Sequence, residues 1–116
     1  MILSIIFVAH WVGDFLLQTT PMAVYKSWSL KWLTIHVIVY TAVVTVFGLF
    51  VFDLALLWKY ALLNGGIHWV VDFFTSKVVS RYKEKPRLFF VFIGFDQLLH
   101  ILSLLWTYYL YSSPVT

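Results

Sequence analysis

The sequence predicts an all-α protein: a four-helix transmembrane bundle formed by two tandem-repeat helical hairpins in a single domain, residues 1–116. Composition supports this class, since 62% of the residues are hydrophobic and only 11% are charged, whereas a soluble domain carries about 25% charged residues. Apolar runs approach the ~20 residues that a membrane-spanning helix needs. An internal repeat predicts the hairpins: the hexapeptide HWVGDF at 10–15 recurs as HWVVDF at 68–73. A soluble helical bundle, the alternative, would need polar outer faces that these segments lack.

Short polar interruptions divide the chain into four apolar segments. The first segment ends before Pro21, because proline disfavours helix in the residue that precedes it, and a basic loop or interfacial helix follows. A turn near Asp53 separates the second segment from the third, and a charged loop at 80–87 separates the third from the fourth. The spans are therefore predicted to cover residues 2–19, 32–52, 54–79 and 88–111.

The basic residues predict how the chain is oriented in a membrane. The loops after the first and third spans lie on the same side and hold seven of the eight Lys and Arg residues, while Lys59 lies near the other side. Because loops rich in Lys and Arg stay in the cytoplasm, we expect both loops there and both termini outside. The expected partners are the lipid bilayer and its anionic headgroups; nucleic acid is not expected, and a homo-oligomer is left open.

Polar side chains inside the apolar segments form the candidate site. In both hexapeptide copies His and Asp are four residues apart and so share one helix face. An Asp at the centre of a membrane helix costs about 3 kcal/mol on insertion scales, so such groups are default candidates for a functional site. All four histidines and three of the four aspartates fall in the half of the spans nearer the basic loops. They are His10, Asp14, His36, His68, Asp72, Asp96 and His100.

These seven groups predict a metal centre. The chain has no cysteine, which excludes thiolate ligands, and imidazole with carboxylate suits Zn²⁺ first and also Mn²⁺ or Fe²⁺. Seven ligands are too many for one tetrahedral ion and suit two ions, unless some carboxylates only orient a ligating imidazole. Asp96 is the candidate general base. Six further side chains are expected to bind substrate or fix histidine tautomers: Gln18, Lys26, Tyr40, Asn64, Lys77 and Gln97.

One polar pattern extends over nearly the whole chain. It comprises His10-x3-Asp14-Phe15-x2-Gln18, Lys26, His36, His68-x3-Asp72, Lys77 and Asp96-Gln97-x2-His100. This pattern resembles a small prokaryotic and phage family of integral membrane proteins catalogued as a domain of unknown function, with Asp-Gln-x2-His as its most specific part. More loosely, it is similar to membrane-bound metal-dependent hydrolases. These resemblances imply a prokaryotic inner-membrane protein and, by analogy alone, hydrolysis.

The function expected from these observations is metal-dependent hydrolysis of an ester or phosphoester at the cytoplasmic leaflet. A metal or proton transporter subunit is the first alternative, but it would need polar groups that continue to the opposite face, and the outer half of the spans is almost wholly apolar. The second alternative is a phage or bacterial membrane interaction protein, in which the His and Asp groups only hold helices together.

Overall fold

The computed structural model describes residues 1–112, and within them the chain is helical with no strand. This confirms the all-α class; the end of the predicted domain, 113–116, and with it the predicted outer location of the C-terminus, lie outside the described residues. Four long helical stretches and one short helix make up the fold. Helix α1 (Ile2–Trp11) continues as a π-helix (Val12–Leu16), and α2 (Thr20–Tyr25), α3 (Leu30–Gly48), α4 (Leu54–Arg81) and α5 (Pro86–Ser112) follow.

Local signals explain where these helices begin. Pro21 lies in the first turn of α2, where its fixed φ fits the helix and its missing N–H is not needed. Ser29 precedes α3, and its side chain accepts a hydrogen bond from the backbone N–H of Trp32. Asp53, predicted as a turn residue, caps α4 by accepting from the N–H of Leu56 at 3.1 Å. Such caps satisfy backbone donors that the first helical turn leaves free.

The four segments predicted to span a membrane correspond to the four long helical stretches. Among the described residues, α3 and α5 are long and apolar enough to cross a membrane by length and composition, whereas Ile2–Leu16 is apolar but shorter. Helix α4 carries a polar stripe that lowers its mean hydropathy, and every residue of that stripe is buried. The stripe consists of Asn64, His68, Asp72 and Ser76.

The interior is divided along its length. At one end, a core of buried apolar and aromatic side chains comes from all four long stretches, including Ile6, Val44, Leu57 and Leu104. One or two turns further along each stretch, toward the basic loops, the buried residues become polar or charged. The outward-facing surface is rich in apolar side chains, for example Phe74, which is 62% exposed. The fold therefore surrounds a polar cluster at one end with an apolar exterior.

Helix α4 is central, since it packs against both α3 and α5, and α3 also packs against α1 and α2. Close approach depends on glycine at two points. A Cβ on Gly13 would lie 3.0 Å from Cδ2 of Tyr40, and a Cβ on Gly65 would overlap the hydroxyl of Thr41. Gly65 thus allows α3 and α4 to pack closely.

Candidate metal centre

Four side chains from three helical elements direct their ligand atoms at one point. His36 Nε2 lies 3.0 Å from Asp14 Oδ1 and 3.1 Å from His68 Nε2. Asp72 Oδ2 lies 3.3 Å from His36 Nε2 and 3.2 Å from His68 Nε2. The separation between His68 Nε2 and Asp14 Oδ1 is 3.4 Å. None of the four residues is more than 3% exposed, so the four atoms form a tight, buried cluster.

The separations within this cluster fit a tetrahedral metal ion. Ligand atoms around Zn²⁺, with Zn–N and Zn–O bonds of about 2.0–2.1 Å, lie about 3.3–3.4 Å from one another in a regular tetrahedron. Five of the six ligand-to-ligand separations are 3.0–3.4 Å. All four atoms lie within 4.8 Å of one another. These residues therefore have the number, chemistry and spacing to hold one metal ion.

Hydrogen bonds alone do not account for these contacts. Nε2 of His36 has three polar neighbours within 3.3 Å, and Nε2 of His68 has three within 3.4 Å. Each of these nitrogens carries at most one hydrogen, so it can donate to only one neighbour. A cation between the four atoms would instead receive a lone pair from each. The crowding of acceptors thus favours a metal ion over a hydrogen-bonded cluster.

The local fold brings the two hexapeptide copies to this point in different ways. In the second copy, regular helix α4 holds His68 Nε2 3.2 Å from Asp72 Oδ2. In the first copy, the chain passes from an α-helix into a wider π-helix between His10 and Asp14, and His10 Nε2 lies 3.8 Å from Asp14 Oδ2. Gly13 is the one hexapeptide position that differs, with valine in the second copy. The first copy therefore contributes only its aspartate to the cluster.

The two copies still share one feature, a carboxylate bonded to the histidine of the helix that follows. Asp14 Oδ1 lies 3.0 Å from His36 Nε2, and Asp72 Oδ1 lies 3.0 Å from His100 Nε2. In the second copy this leaves Asp72 Oδ2 for the cluster, while Oδ1 accepts from His100. A carboxylate fixed in this way holds its ligating oxygen in place.

Gln97 connects Asp14 of the cluster to the carboxylate of Asp96. Its Nε2 donates to Asp14 Oδ2 and to Asp96 Oδ2, both at 3.0 Å. Its Oε1 accepts from His10 Nε2 at 2.7 Å, so Nδ1 of His10 accepts from the Tyr40 hydroxyl at 3.0 Å. Both nitrogens of His10 are thus engaged in a hydrogen-bond chain that orients Asp14 from behind.

A second group of ligand atoms adjoins the first. One ligand atom each from Asp14, Asp96 and His100 lies within 4.8 Å of the others. His100 Nε2 is 3.2 Å from Asp96 Oδ1, which also accepts from Thr75 Oγ1 at 2.5 Å. Asp14 belongs to both groups, which is the role of the shared ligand in a two-metal site.

Aromatic stacking fixes the imidazole of His68. Its ring lies between Tyr40 and His100, with both ring centroids 3.9 Å away. Among the described residues, Nδ1 of His68 and Nδ1 of His36 are buried without a hydrogen-bond partner. A ligating histidine usually donates this second N–H to a carboxylate or carbonyl. Here, packing rather than such a bond orients the two rings.

A cavity of about 470 Å³ gives access to the cluster from the end with the basic loops. Asp14, Asp72 and Asp96 line its inner wall, and Lys26 and Lys83 line it nearer the loops. Lys26 Nζ lies 3.2 Å from Asp72 Oδ2. Because residues of the α2 region and of the α4–α5 loop line one cavity, both basic loops lie at the same end of the molecule.

A match over nearly the whole chain shows the family to which this protein belongs. Residues 2–116 match one family, described as a protein of unknown function (DUF3307). The chain belongs to this family. The resemblance to a family of unknown function is thereby confirmed, and the looser likeness to metal-dependent hydrolases stays a prediction. No curated protein matches the chain, and no solved structure matches it.

Most of the side chains predicted for the site lie together in this DUF3307 member. Six of the seven predicted ligands belong to the two ligand groups, and His10 supports Asp14 through Gln97. Gln18 accepts a hydrogen bond from Lys26 at 2.9 Å in the cavity wall. Tyr40 contacts both His10 and His68.

The structure places two predicted residues elsewhere. Asn64 donates to Tyr60 O at 2.9 Å and to Thr107 Oγ1 at 2.8 Å, so it ties α4 to α5. Lys77 donates to Phe73 O at 3.0 Å, and its ammonium lies 3.8 Å from the centre of the Phe73 ring. Asn64 and Lys77 therefore contact neither the histidines of the ligand groups nor the cavity.

Five polar residues of the cavity wall were missing from the predicted site: Ser27, Thr75, Ser76, Ser80 and Lys83. Ser76 Oγ is buried with no partner among the described residues, so it is free to bond a molecule in the cavity. Thr75 lies three residues after Asp72, on the same helix face, and this spacing was the available signal. Lys83 had no such signal because it lies beyond the end of α4.

Proposed function

We propose that this chain is an integral membrane protein that binds a divalent metal ion, Zn²⁺ first, and hydrolyses an ester or phosphoester at the cytoplasmic leaflet. The observation that carries the proposal is the convergence of two imidazoles and two carboxylates at tetrahedral spacing beside a cavity open at one end. A closed polar cluster without a cavity would only need to hold helices together. The cavity supplies room for a substrate of about drug size.

The distribution of exposed residues supports a four-span transmembrane bundle of two hairpins. On α4, the buried stripe faces the interior, while Trp58, Leu62 and Phe74 are each more than half exposed. Apolar residues on the outside and polar residues within suit hydrocarbon as the solvent. The long axis of 49 Å matches a bilayer with its headgroup regions, about 40–45 Å.

Charge balance supports one ion at rest. The formal charges of Asp14, Asp72 and Asp96, together with that of Lys26, leave two negative charges in a buried cluster, which one divalent ion neutralises. Unpaired buried charge is strongly disfavoured. A second ion, at the group formed by Asp14, Asp96 and His100, would bring excess positive charge and would occupy Asp96, so we propose one ion per chain.

The side chains around the cavity have defined roles in the proposed hydrolysis. A divalent ion held by Asp14, His36, His68 and Asp72 would supply Lewis acidity to a water or substrate oxygen in the cavity. Asp96, held by Thr75 and Gln97, takes the proton of the attacking water as general base and returns it to the leaving oxygen. Lys26, 15% exposed at the cavity wall, offsets negative charge that develops on the substrate. Ser76 offers a free hydroxyl to hold it.

A transport function is less well supported by the same geometry. A transporter needs polar groups along a route to the opposite face of the membrane. Beyond the cluster, the interior is filled by the packed core that includes Ile6, Val44 and Leu104. The polar cavity also opens toward the basic loops. A one-sided site suits a hydrolase better than a carrier.

The decisive experiment is metal analysis of detergent-purified protein and of one pair of matched variants. Asp72→Asn removes a ligand carboxylate, while Asp53→Asn makes the same chemical change at a helix cap, where Asn serves equally well. We expect one ion per chain in the wild type and in Asp53→Asn, and a loss of about 100-fold or more in Zn²⁺ affinity in Asp72→Asn.

Turnover of carboxylic and phosphoric p-nitrophenyl esters in detergent micelles tests the catalytic part of the proposal. Turnover that requires metal and is lost in Asp72→Asn and in Asp96→Asn, but kept in Asp53→Asn, is expected. A wild type that binds no metal, or an Asp72→Asn variant that keeps both metal and turnover, contradicts the proposal.

A further inference from the structure

An apolar groove of about 330 Å³ runs along the outer surface between α4 and α5. Its wall exposes only apolar atoms, and half of its eight residues are exposed on the outer surface. It is formed mainly by Val70, Phe74 and Val78 of α4 and by Phe92, Phe95 and Leu99 of α5. In the proposed membrane orientation this groove opens into the hydrocarbon of the bilayer, where water does not fill it.

One side chain borders both the groove and the polar cavity. Thr75 lines both spaces, and its hydroxyl lies 2.5 Å from Asp96 Oδ1 on the cavity side. Since the groove exposes no polar atom, Thr75 contributes only apolar atoms to it. The candidate general base and an acyl-sized apolar space are therefore separated by a single side chain in the α4–α5 wall.

The cavity itself has an amphipathic wall. Lys26 and Lys83 provide positive charge, whereas Phe15, Val79 and Phe89 are among its apolar lining residues. Cationic groups next to the membrane surface attract anionic headgroups, and apolar walls exclude strongly hydrated solutes. The cavity thus fits a molecule that is both anionic and partly apolar.

From these observations we propose that the substrate is a membrane lipid with an anionic headgroup, whose acyl chain lies in the α4–α5 groove while its headgroup occupies the cavity. This inference rests on the proposed function and specifies its substrate class. Val78 lies nearer the basic loops than Val70, so the groove extends from the level of Val78, past Thr75, toward the bilayer centre. An acyl chain in the groove therefore runs parallel to the acyl chains of the neighbouring lipids in the leaflet.

The test uses full-length protein in phosphatidylcholine vesicles doped with phosphatidylglycerol that carries a photoactivatable diazirine on one acyl chain. Val70→Trp fills the groove, and Val91→Trp places the same side chain on α5 outside it. Both valines are 52% exposed, so the two variants are matched. Cross-linked peptides should come from α4 and α5 around the groove.

We expect Val70→Trp to reduce cross-linking by about tenfold, the loss caused by expelling roughly two methylene groups from an apolar site. Val91→Trp should leave it unchanged. Lys83→Gln should reduce the preference for phosphatidylglycerol over labelled phosphatidylcholine, and Lys85→Gln, in the same loop but outside the cavity wall, should not. The inference is overturned by equal labelling of the two lipids, or by a Val70→Trp variant that labels like wild type.

Two further measurements separate this inference from its premises. Metal content and turnover of a water-soluble p-nitrophenyl ester, measured in the wild type and in Val91→Trp, report on the proposed function, and both should be the same in these two proteins. If the wild type shows no labelling around the groove while its metal content and ester turnover are intact, the lipid inference alone is overturned. Mass measurement in detergent addresses the other occupant: if Val70→Trp dissociates a dimer, the groove holds a second copy of the chain and the lipid inference is wrong.

Discussion

Lys26 places a positively charged side chain against the candidate metal centre. Its ammonium donates to Asp72 Oδ2 at 3.2 Å and to Gln18 Oε1 at 2.9 Å. Asp72 Oδ2 is also one of the four convergent ligand atoms, so the ammonium and a metal ion would share one oxygen. Because like charges at this range repel by up to about 4 kcal/mol at an effective dielectric constant of 20, Lys26 competes with the metal.

Replacement of Lys26 by methionine should therefore raise the affinity for Zn²⁺ by about tenfold or more. The same change should lower the thermal stability of the metal-free protein, because it removes the lysine partner of a buried carboxylate; the loss should be less than the about 3–5 kcal/mol of a fully unpaired charge, since His100 still bonds to Asp72. Titration calorimetry and thermal unfolding in detergent, with and without a chelator, measure both effects. Lys31→Met, at an exposed lysine beside Trp32, is the control. An unchanged or weaker affinity in Lys26→Met contradicts the competition.

At the level of elements, the π-helix at Val12–Leu16 separates the roles of the two repeats. Within it the backbone N–H of Leu17 bonds to Val12 O at 2.9 Å, an i to i+5 contact. Such segments are rare and occur frequently at functional sites. The wider turn directs Asp14 into the cluster while His10 bonds to Gln97. The repeat with regular geometry, in α4, supplies both of its groups to the cluster.

The π-helix depends on close packing of Gly13 against Tyr40, which gives a second prediction. In Gly13→Ala the added Cβ would lie 3.0 Å from the Tyr40 ring and 3.4 Å from its Cα. We expect a shift between α1 and α3 that moves Asp14 from His36, with about 1–3 kcal/mol lost from the free energy of unfolding and about tenfold weaker Zn²⁺ binding.

Gly66→Ala provides the matched control for this change. A Cβ at Gly66 meets no atom within 4 Å, and alanine should stabilise the helix by about 0.5–1 kcal/mol. Denaturant titration and metal titration of both variants measure the difference. Equal behaviour of the two variants would show that the packing of Gly13 does not control the geometry of the site.

For the whole molecule, the arrangement of polar and apolar halves agrees with the predicted orientation. The cavity and both basic loops lie at one end, and the apolar core lies toward the other. Under the proposed topology, such a molecule takes substrate from one membrane surface, and the positively charged loops predict that this surface is the cytoplasmic one. The proposed topology and the proposed one-sided chemistry are therefore linked.

The absence of native cysteine makes this topology directly testable. Lys85→Cys places a thiol in the loop between α4 and α5, and Phe50→Cys places one in the turn between α3 and α4, where Phe50 is 76% exposed. A membrane-impermeant maleimide should label Lys85→Cys only from the cytoplasmic side and Phe50→Cys only from the opposite side. Labelling of both from one side would show that α4 does not cross the membrane.

Much of the fold and the set of buried polar residues could be predicted because they depend on local sequence. Composition and apolar run length indicated an all-α chain, and i, i+4 spacing placed His68 and Asp72 on one face of a helix. The predicted segment 54–79 lies within helix Leu54–Arg81. Burial of these polar groups followed from the cost of exposing them to hydrocarbon.

The sequence by itself thus determined the helical class, the family and the histidines and aspartates that are buried. Only the tertiary structure decided that His68 is a candidate ligand while His10 supports Asp14, and that Lys26 pairs with Asp72 from 46 residues away. The physical reason is that spacing along one helix sets which residues share a face, whereas the rotation of each helix about its axis sets what that face meets. That rotation arises from packing between helices, as where Gly13 lies against Tyr40.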